Sequence, residues 1–78
     1  MSSTATVSAG TQKTLVFSGI VKSLGVGETT AKLYLSTVNH NTLELAQTIP
    51  ITQTGYFEFA PVTFEWDQTA YYRIDVEN

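Results

Sequence analysis

Hydrophobic and polar residues alternate with a period of two along three stretches of this chain. Residues 30–38, TAKLYLSTV, place an alanine and two leucines on one face of an extended backbone. Residues 56–60, YFEFA, and residues 71–78, YYRIDVEN, repeat the alternation, with Phe57 and Phe59 on the apolar face of the first. Because successive side chains of a strand point to opposite faces, this pattern is typical of strands with one buried face.

Turn-forming residues separate these stretches at short intervals. Glycines interrupt LGVGET at 24–29, asparagines flank NHN at 39–41, and a glycine ends TQTG at 52–55; such residues adopt the conformations that tight turns need. The pattern predicts strands at 5–9, 13–22, 30–38, 42–51, 56–64 and 70–77. It therefore predicts an all-β fold, a small antiparallel β-sandwich of about six to seven strands. We expect residues 1–12 to form an N-terminal extended arm and residues 13–78 to form the sandwich domain.

The aromatic residues that follow Gly55 supply the predicted core. Phe57 and Phe59 would point between the two sheets, where large rings add apolar area that so short a chain otherwise lacks. Pro61 has no backbone N–H donor and cannot complete a rung inside a sheet. We therefore expect this strand to bend, or to lie at the margin of its sheet, near Pro61.

The order of these motifs resembles the carboxypeptidase regulatory-like, or prealbumin-like, β-sandwich family. The matching segments, over about residues 17–77, are SGIV at 18–21, AKLYL at 31–35, TGYFEF at 54–59 and YRIDV at 72–76. The chain departs from the family pattern where threonine replaces an aspartate before the glycine, and where EWDQTAY replaces a PPGxY turn. The resemblance implies an Ig-like sandwich without an active site, because such domains mostly serve as spacers, adhesion modules or assembly parts.

Charge and hydropathy exclude two kinds of partner. The net charge is −3 at neutral pH, and the four cations are scattered along the chain. Binding nucleic acid requires a basic stripe that neutralises several phosphates, so no nucleic-acid partner is expected. No stretch approaches the roughly 18 apolar residues of a membrane span. The first residues lack the basic start and apolar run of a secretory signal, so we expect synthesis in the cytoplasm.

Side chains suited to catalysis or metal binding are sparse. The absence of cysteine removes disulfides, thiolate ligands and cysteine nucleophiles. The one histidine, His40, lies in a turn, where a solvated residue is more usual than a catalytic base. Two carboxylate pairs, Glu65 with Asp67 and Asp75 with Glu77, fall short of the six to eight oxygens that calcium takes. We expect neither an enzyme nor a resident metal or cofactor.

The loop around Trp66 is the first candidate binding site. Trp66 stands beside Asp67 in a polar loop, and Tyr71 begins the next strand. An exposed tryptophan there could stack on a sugar ring or anchor a protein interface. Alternatively, Trp66 folds back beside Phe64 and caps the open end of the sandwich, which is the interpretation we favour.

The N-terminal segment is the second candidate site. Residues 1–12 are rich in serine and threonine, contain little to bury, and should fray in a free monomer. Fully extended, they could reach roughly 40 Å. The backbone of Thr4, Ala5, Thr6 and Val7 could then add a strand to the sheet of a neighbouring subunit.

Together these features favour a non-enzymatic structural module inside a larger symmetric assembly. The size and style are similar to virion components such as bacteriophage capsid decoration (cement) proteins and small tail or neck proteins. The expected partners are other protein subunits, including copies of the chain itself. The alternative is a carbohydrate-binding or adhesion module at a cell surface that uses Trp66, Asp67 and Tyr71.

Overall fold

The computed structural model describes residues 2–11, 13–22 and 30–77. Within these ranges the chain is all-β, with eight strands and no helix. The strands are β1 (Ser2–Ser8), β2 (Thr14–Leu15), β3 (Ser18–Val21), β4 (Thr30–Ser36), β5 (Glu44–Pro50), β6 (Gly55–Glu58), β7 (Val62–Thr63) and β8 (Thr69–Glu77). The turn predicted at 24–29 lies outside the described residues.

The main layer is a four-stranded antiparallel sheet in the order β1-β8-β4-β5. Leu33 of β4 lies opposite Ile74 of β8, and Ala31 lies opposite Val76. All four side chains are buried, whereas Lys32, between the two β4 residues, lies on the other face. The strands predicted at 30–38 and 70–77 are present as β4 and β8 with the alternating faces expected, although β4 ends at Ser36.

The second layer is a two-stranded ribbon that is interrupted into two short ladders. β2 pairs with β7 and β3 pairs with β6, both antiparallel. Between the two ladders, the backbone N–H of Phe59 donates to the carbonyl of Phe17 at 2.8 Å. The strands predicted at 13–22 and 56–64 are each interrupted. The gap between β6 and β7 includes Pro61, near which the strand was expected to bend or to lie at the margin of its sheet.

One hydrophobic core lies between the two layers, an arrangement compatible with a small β-sandwich. Its members are Phe17, Val21, Ala31, Leu33, Ile51, Phe59, Ala70, Ile74 and Val76. Phe59 is 2% exposed, and Phe57 packs against the core with its ring edge-on to Phe59, at 5.8 Å between centroids. Both rings point inward, as the sequence predicted.

The N-terminal segment differs from the free arm that its composition predicted. β1 pairs with β8 along its whole length, from Ser2 opposite Asp75 to Ser8 opposite Thr69. Val7 packs against the core and Ala5 is partly buried. β8 would expose its own hydrogen-bonding groups without this neighbour, so pairing within the chain satisfies the backbone groups that the two strands direct at each other. The segment is the edge strand of the domain, which corrects the expectation of a frayed arm.

Candidate interaction sites

The outer edge of β1 is the first candidate site. β1 stands at one end of the strand order, with β8 as its single partner among the strands of the described residues. Its sequence, SSTATVS, contains no charged residue and no proline. Its register with β8 runs without a bulge. A long, regular, uncharged edge of this kind is a template on which another strand can pair.

The hydrogen-bond alternation shows which residues of β1 face outward. The backbone N–H of Ala9 donates to the carbonyl of Gln68 at 2.8 Å, one residue beyond the last β1–β8 pair. Residues of an antiparallel strand alternate in the direction of both backbone groups. The backbone groups of Ser3, Ala5 and Val7 therefore face β8. Those of Ser2, Thr4, Thr6 and Ser8 face away from the sheet.

The opposite edge of the main sheet is less suited to pairing. β5 ends in Pro50, and its register with β4 shifts between Leu33 and Tyr34. Gln47 also ties this edge to the second layer: its side-chain amide donates to the carbonyl of Ala60 at 2.9 Å and accepts from the N–H of Ala60 at 2.8 Å. Prolines and bulges are features with which proteins blunt an edge strand.

Asp67, predicted as a candidate ligand-binding residue, is engaged within the chain. Its Oδ1 accepts from the hydroxyl of Ser8 at 2.8 Å and from the backbone N–H of Gly10 at 2.9 Å. Gly10 has a φ of 69°, in the left-handed region. Asp67 therefore fixes the turn that carries the chain from β1 to the second layer, a role that sequence spacing does not reveal across 57 residues.

Trp66 is the exposed member of its group. Its side chain is 58% exposed, which contradicts the favoured interpretation that it folds back and caps the core. Tyr71 is half-buried and meets His40 edge-on, with 5.2 Å between ring centroids. Asp67 accepts hydrogen bonds from Ser8 and Gly10, and Tyr71 packs edge-on against His40. Both residues therefore have partners elsewhere in the chain, and Trp66 is the exposed member of the group that could stack on a ligand.

His40 joins the β4–β5 connection to β1. Its Nε2 lies 3.0 Å from the carbonyl oxygen of Ala5, and its ring packs on Tyr71 of β8. Ser36 organises the start of the same loop, because its hydroxyl accepts from the N–H of Val38 at 3.0 Å. His40 is exposed, as expected for a turn residue, and it also braces β1 from the outer face of the sheet.

The outer face of the main sheet carries an ionic group. Lys32 Nζ lies 2.5 Å from Glu77 Oε1, and the guanidinium of Arg73 sits 4.3 Å from the ring centre of Tyr34. Arg73 Nε and Asp75 Oδ1 are 3.1 Å apart, yet neither makes an aligned hydrogen bond. Their contact is therefore a Coulombic one along a single strand.

Hydrogen bonding between Lys32 and Glu77, reinforced by their opposite charges, shifts both pKa values. The pKa of Lys32 is raised above 10.5, and the pKa of Glu77 is lowered below 4.5. Both shifts favour the charged forms. The pair links the start of β4 to the end of β8.

Two further surface features are an open cleft and an exposed apolar pair. An open cleft of about 390 Å³ lies at the end of the β4–β5 hairpin, lined by Leu35, Ser36, Thr37, Val38, Thr42 and Glu44. On the outer face of the second layer, Ile20 and Tyr56 are paired across the strands and each is 66% exposed.

In the part of the chain that the structure describes, no group of three or more His, Asp or Glu side chains could hold a metal ion. Across those same residues, no helix has the length and apolar character to cross a membrane.

No family model, curated protein or solved structure matches this chain.

Proposed function

We propose that this protein is a non-enzymatic assembly module that binds neighbouring protein subunits by strand addition at the outer edge of β1. The observation that carries the proposal is the outward-facing row of backbone groups on Ser2, Thr4, Thr6 and Ser8. Added strands gain affinity from main-chain hydrogen bonds and specificity from alternate side chains. The residues predicted for partner binding, Thr4 to Val7, form the middle of this edge.

Side-chain contacts that hold β1 in place support this role. Asp67 holds one end of the strand through Ser8, and His40 contacts the carbonyl of Ala5 near its middle. A strand already held in its extended conformation loses little conformational entropy when a partner pairs with it. The module therefore offers its edge as a preorganised surface.

The finer form of the proposal is a virion component, a capsid decoration protein or a small tail or neck protein. It rests on the small size, the low charge and the absence of cysteine, together with an edge suited to repeated, symmetric contacts. In such a shell, the domain would add contacts between subunits without performing chemistry. That the fold is of the prealbumin-like type is likewise a hypothesis, which rests on the resemblance of the sequence motifs.

A sedimentation experiment tests the proposal in the cells that make this chain. We expect the chain, tagged beyond Asn78, to sediment with a large protein complex in a density gradient. Thr6→Pro removes an N–H that faces outward and leaves the rungs to β8 in place, which an edge strand tolerates. This variant should move to the slow fractions, while the control Thr6→Val, which keeps the N–H, stays in the fast ones.

Two outcomes would overturn the proposal. One is a wild-type chain that sediments as a small species at its natural abundance. The other is a folded Thr6→Pro variant, verified by circular dichroism, that remains in the fast fractions. Nuclease-resistant nucleic acid in the fast fraction would support the proposal of a virion component. Its absence would indicate that the chain belongs to a different kind of assembly.

A second candidate function, glycan binding, is favoured by the exposure of Trp66. A flat indole in a polar loop suits stacking on a sugar ring. A glycan array should then show binding that Trp66→Ala abolishes and that Trp66→Phe partly retains. Unchanged binding by Trp66→Ala, or no binding to any glycan, would reject this function.

A further inference from the structure

We infer that the partner at the outer edge of β1 is a second copy of this chain, paired antiparallel about a two-fold axis at Ala5. The inference rests on the proposed function, because it identifies the occupant of the same edge. Its basis is the symmetry of the strand itself. β1 reads SSTATVS, which is a palindrome about Ala5 except for the pair Ser3 and Val7.

The backbone geometry suits a symmetric pair. In a register centred on Ala5, the outward-facing residues meet each other: Thr4 lies opposite Thr6 of the partner subunit, and Ser2 lies opposite its Ser8. These are the positions whose N–H and C=O groups are directed away from β8. About eight backbone hydrogen bonds can form across the axis. Centring the register on Thr4 or Thr6 instead would leave part of the seven-residue strand beyond its partner.

The side chains at the axis and next to it also suit this register. Thr4 and Thr6 are exposed on the outer face, and cross-strand threonine pairs stabilise antiparallel sheets. On the inner face the axis brings together two alanines, which are small enough to meet across a two-fold axis. The paired sheets would form one continuous eight-stranded layer. Its order is β5-β4-β8-β1 in one copy, followed by β1-β8-β4-β5 in the other copy.

Charge favours a second copy at this edge over a basic or acidic partner. β1 carries no ionisable side chain, so the net charge of −3 on each copy is not concentrated at the contact. An acidic or basic peptide would find no complementary row of charges on this strand. Self-pairing therefore brings together neutral surfaces that complement each other.

The expected dimer is weak on its own. Stable interfaces usually bury at least about 1,000 Å² in total, and two short strands joined edge to edge cover less than a broad face would. We expect dissociation in the micromolar range or above. In a multisubunit shell, simultaneous contacts would raise the effective affinity of the same edge.

Cysteine trapping tests the register, since the chain contains no cysteine of its own. In this register Ala5 faces its own copy as a non-hydrogen-bonded pair, with Cα atoms about 4.5 Å apart, within the range for a disulfide. The purified full-length Ala5→Cys variant should form a disulfide-linked dimer under mild oxidation. Thr4→Cys alone should not, whereas mixed Thr4→Cys and Thr6→Cys variants should form the heterodimer.

The controls separate edge pairing from random collision. Trapping by Ala5→Cys should fall at least tenfold when Thr6→Pro is added, and should persist with Thr6→Val. Sedimentation equilibrium of the wild-type chain should show a concentration-dependent dimer that the proline variant lacks. Equal trapping of Thr4→Cys alone and Ala5→Cys would overturn the inference, and so would a strictly monomeric wild-type chain at millimolar concentration.

The failure of this inference is distinguishable from failure of the proposed function. A monomeric chain that still enters a large complex in the gradient, and leaves it with Thr6→Pro, would show that a different protein occupies the β1 edge. A chain that neither dimerises nor enters a complex would contradict both the inferred dimer and the proposed function.

Discussion

Gly19 and Phe57 pack tightly against each other in the second layer. They lie opposite each other in the β3–β6 ladder. A Cβ atom built on Gly19 would lie 2.7 Å from Cζ of the Phe57 ring, well inside van der Waals contact. The ring therefore covers the glycine and fills the space that a side chain would take. The SGIV motif thus needs its glycine for packing.

We predict that Gly19→Ala destabilises the domain by about 1–3 kcal/mol, because the Phe57 ring must move away from its contact with Phe59. The free energy of unfolding in urea measures this effect. Ser18→Ala is the matched control at an exposed neighbouring position and should change stability little. In a double-mutant cycle with Phe57→Leu the costs should be non-additive; strict additivity would show that the ring does not constrain this position.

Asp67 has a structural role that can be separated from ligand binding. We predict that Asp67→Ala lowers the free energy of unfolding by about 1–3 kcal/mol, because Ser8 and the N–H of Gly10 lose their acceptor. Asp67→Asn keeps an acceptor oxygen and should cost less. Urea denaturation compares the two with Glu65→Ala, a nearby exposed carboxylate. Equal stability of Asp67→Ala and Glu65→Ala would contradict this role.

Among the elements, the connection between β5 and the interrupted ribbon of the second layer depends on a side chain that makes the same two hydrogen bonds as a backbone peptide group. The amide of Gln47 both donates to and accepts from Ala60, the residue before Pro61. The two bonds take the form of a ladder rung at the place where the ribbon is interrupted. Gln47 thereby closes one side of the sandwich.

We predict that Gln47→Glu destabilises the fold more than Gln47→Met. The carboxylate can accept from the Ala60 N–H but cannot donate, and it places a charge beside the Ala60 carbonyl. The methionine removes both bonds while keeping the apolar volume. We expect a loss of about 1–3 kcal/mol for the glutamate, measured by chemical denaturation, with Thr48→Ala as the exposed control on β5. A glutamate variant as stable as the wild type would show that the two hydrogen bonds between Gln47 and Ala60 do not stabilise the fold.

The elements also show what the sequence can and cannot predict. Strong alternation located β4 and β8 and both of their faces, because one side of each is buried. Pro61 predicted the interruption of the ribbon, because a residue without a backbone N–H cannot donate a hydrogen bond to a neighbouring strand. The N-terminal segment was misjudged as a free arm, since small polar residues in an edge strand carry little periodic signal. The partners of Gln47, Asp67 and His40 are distant in sequence, so no local pattern indicates them.

At the scale of the whole molecule, stability depends on pH through the pair of Lys32 and Glu77. The lowered pKa of Glu77 gives a contribution that is present above its ordinary pKa of 4.5 and is lost as pH falls through the folded value. The raised pKa of Lys32 gives a contribution that is present below 10.5 and is lost as pH rises through its folded value. The pair is therefore fully effective at neutral pH.

We predict that Glu77→Gln is less stable than the wild type at neutral pH and that the difference disappears in acid, where Glu77 becomes protonated. Urea midpoints measured across the pH range check this, and 1 M salt should reduce the neutral-pH difference through screening. Glu65→Gln, which makes the same charge change outside the pair, is the control. An acid-independent difference would contradict the linkage.

The position of β8 in the sheet has a consequence for the order of folding. β8 follows every other described strand in the sequence, yet it lies between β1 and β4. Until β8 joins, β1 and the adjoining side of β4 lack their neighbour, and the earliest strand must close a loop of nearly the whole chain to pair with it. Such distant pairings make folding slow, so a nascent chain without this segment would expose adhesive strands and depend on chaperones or rapid completion.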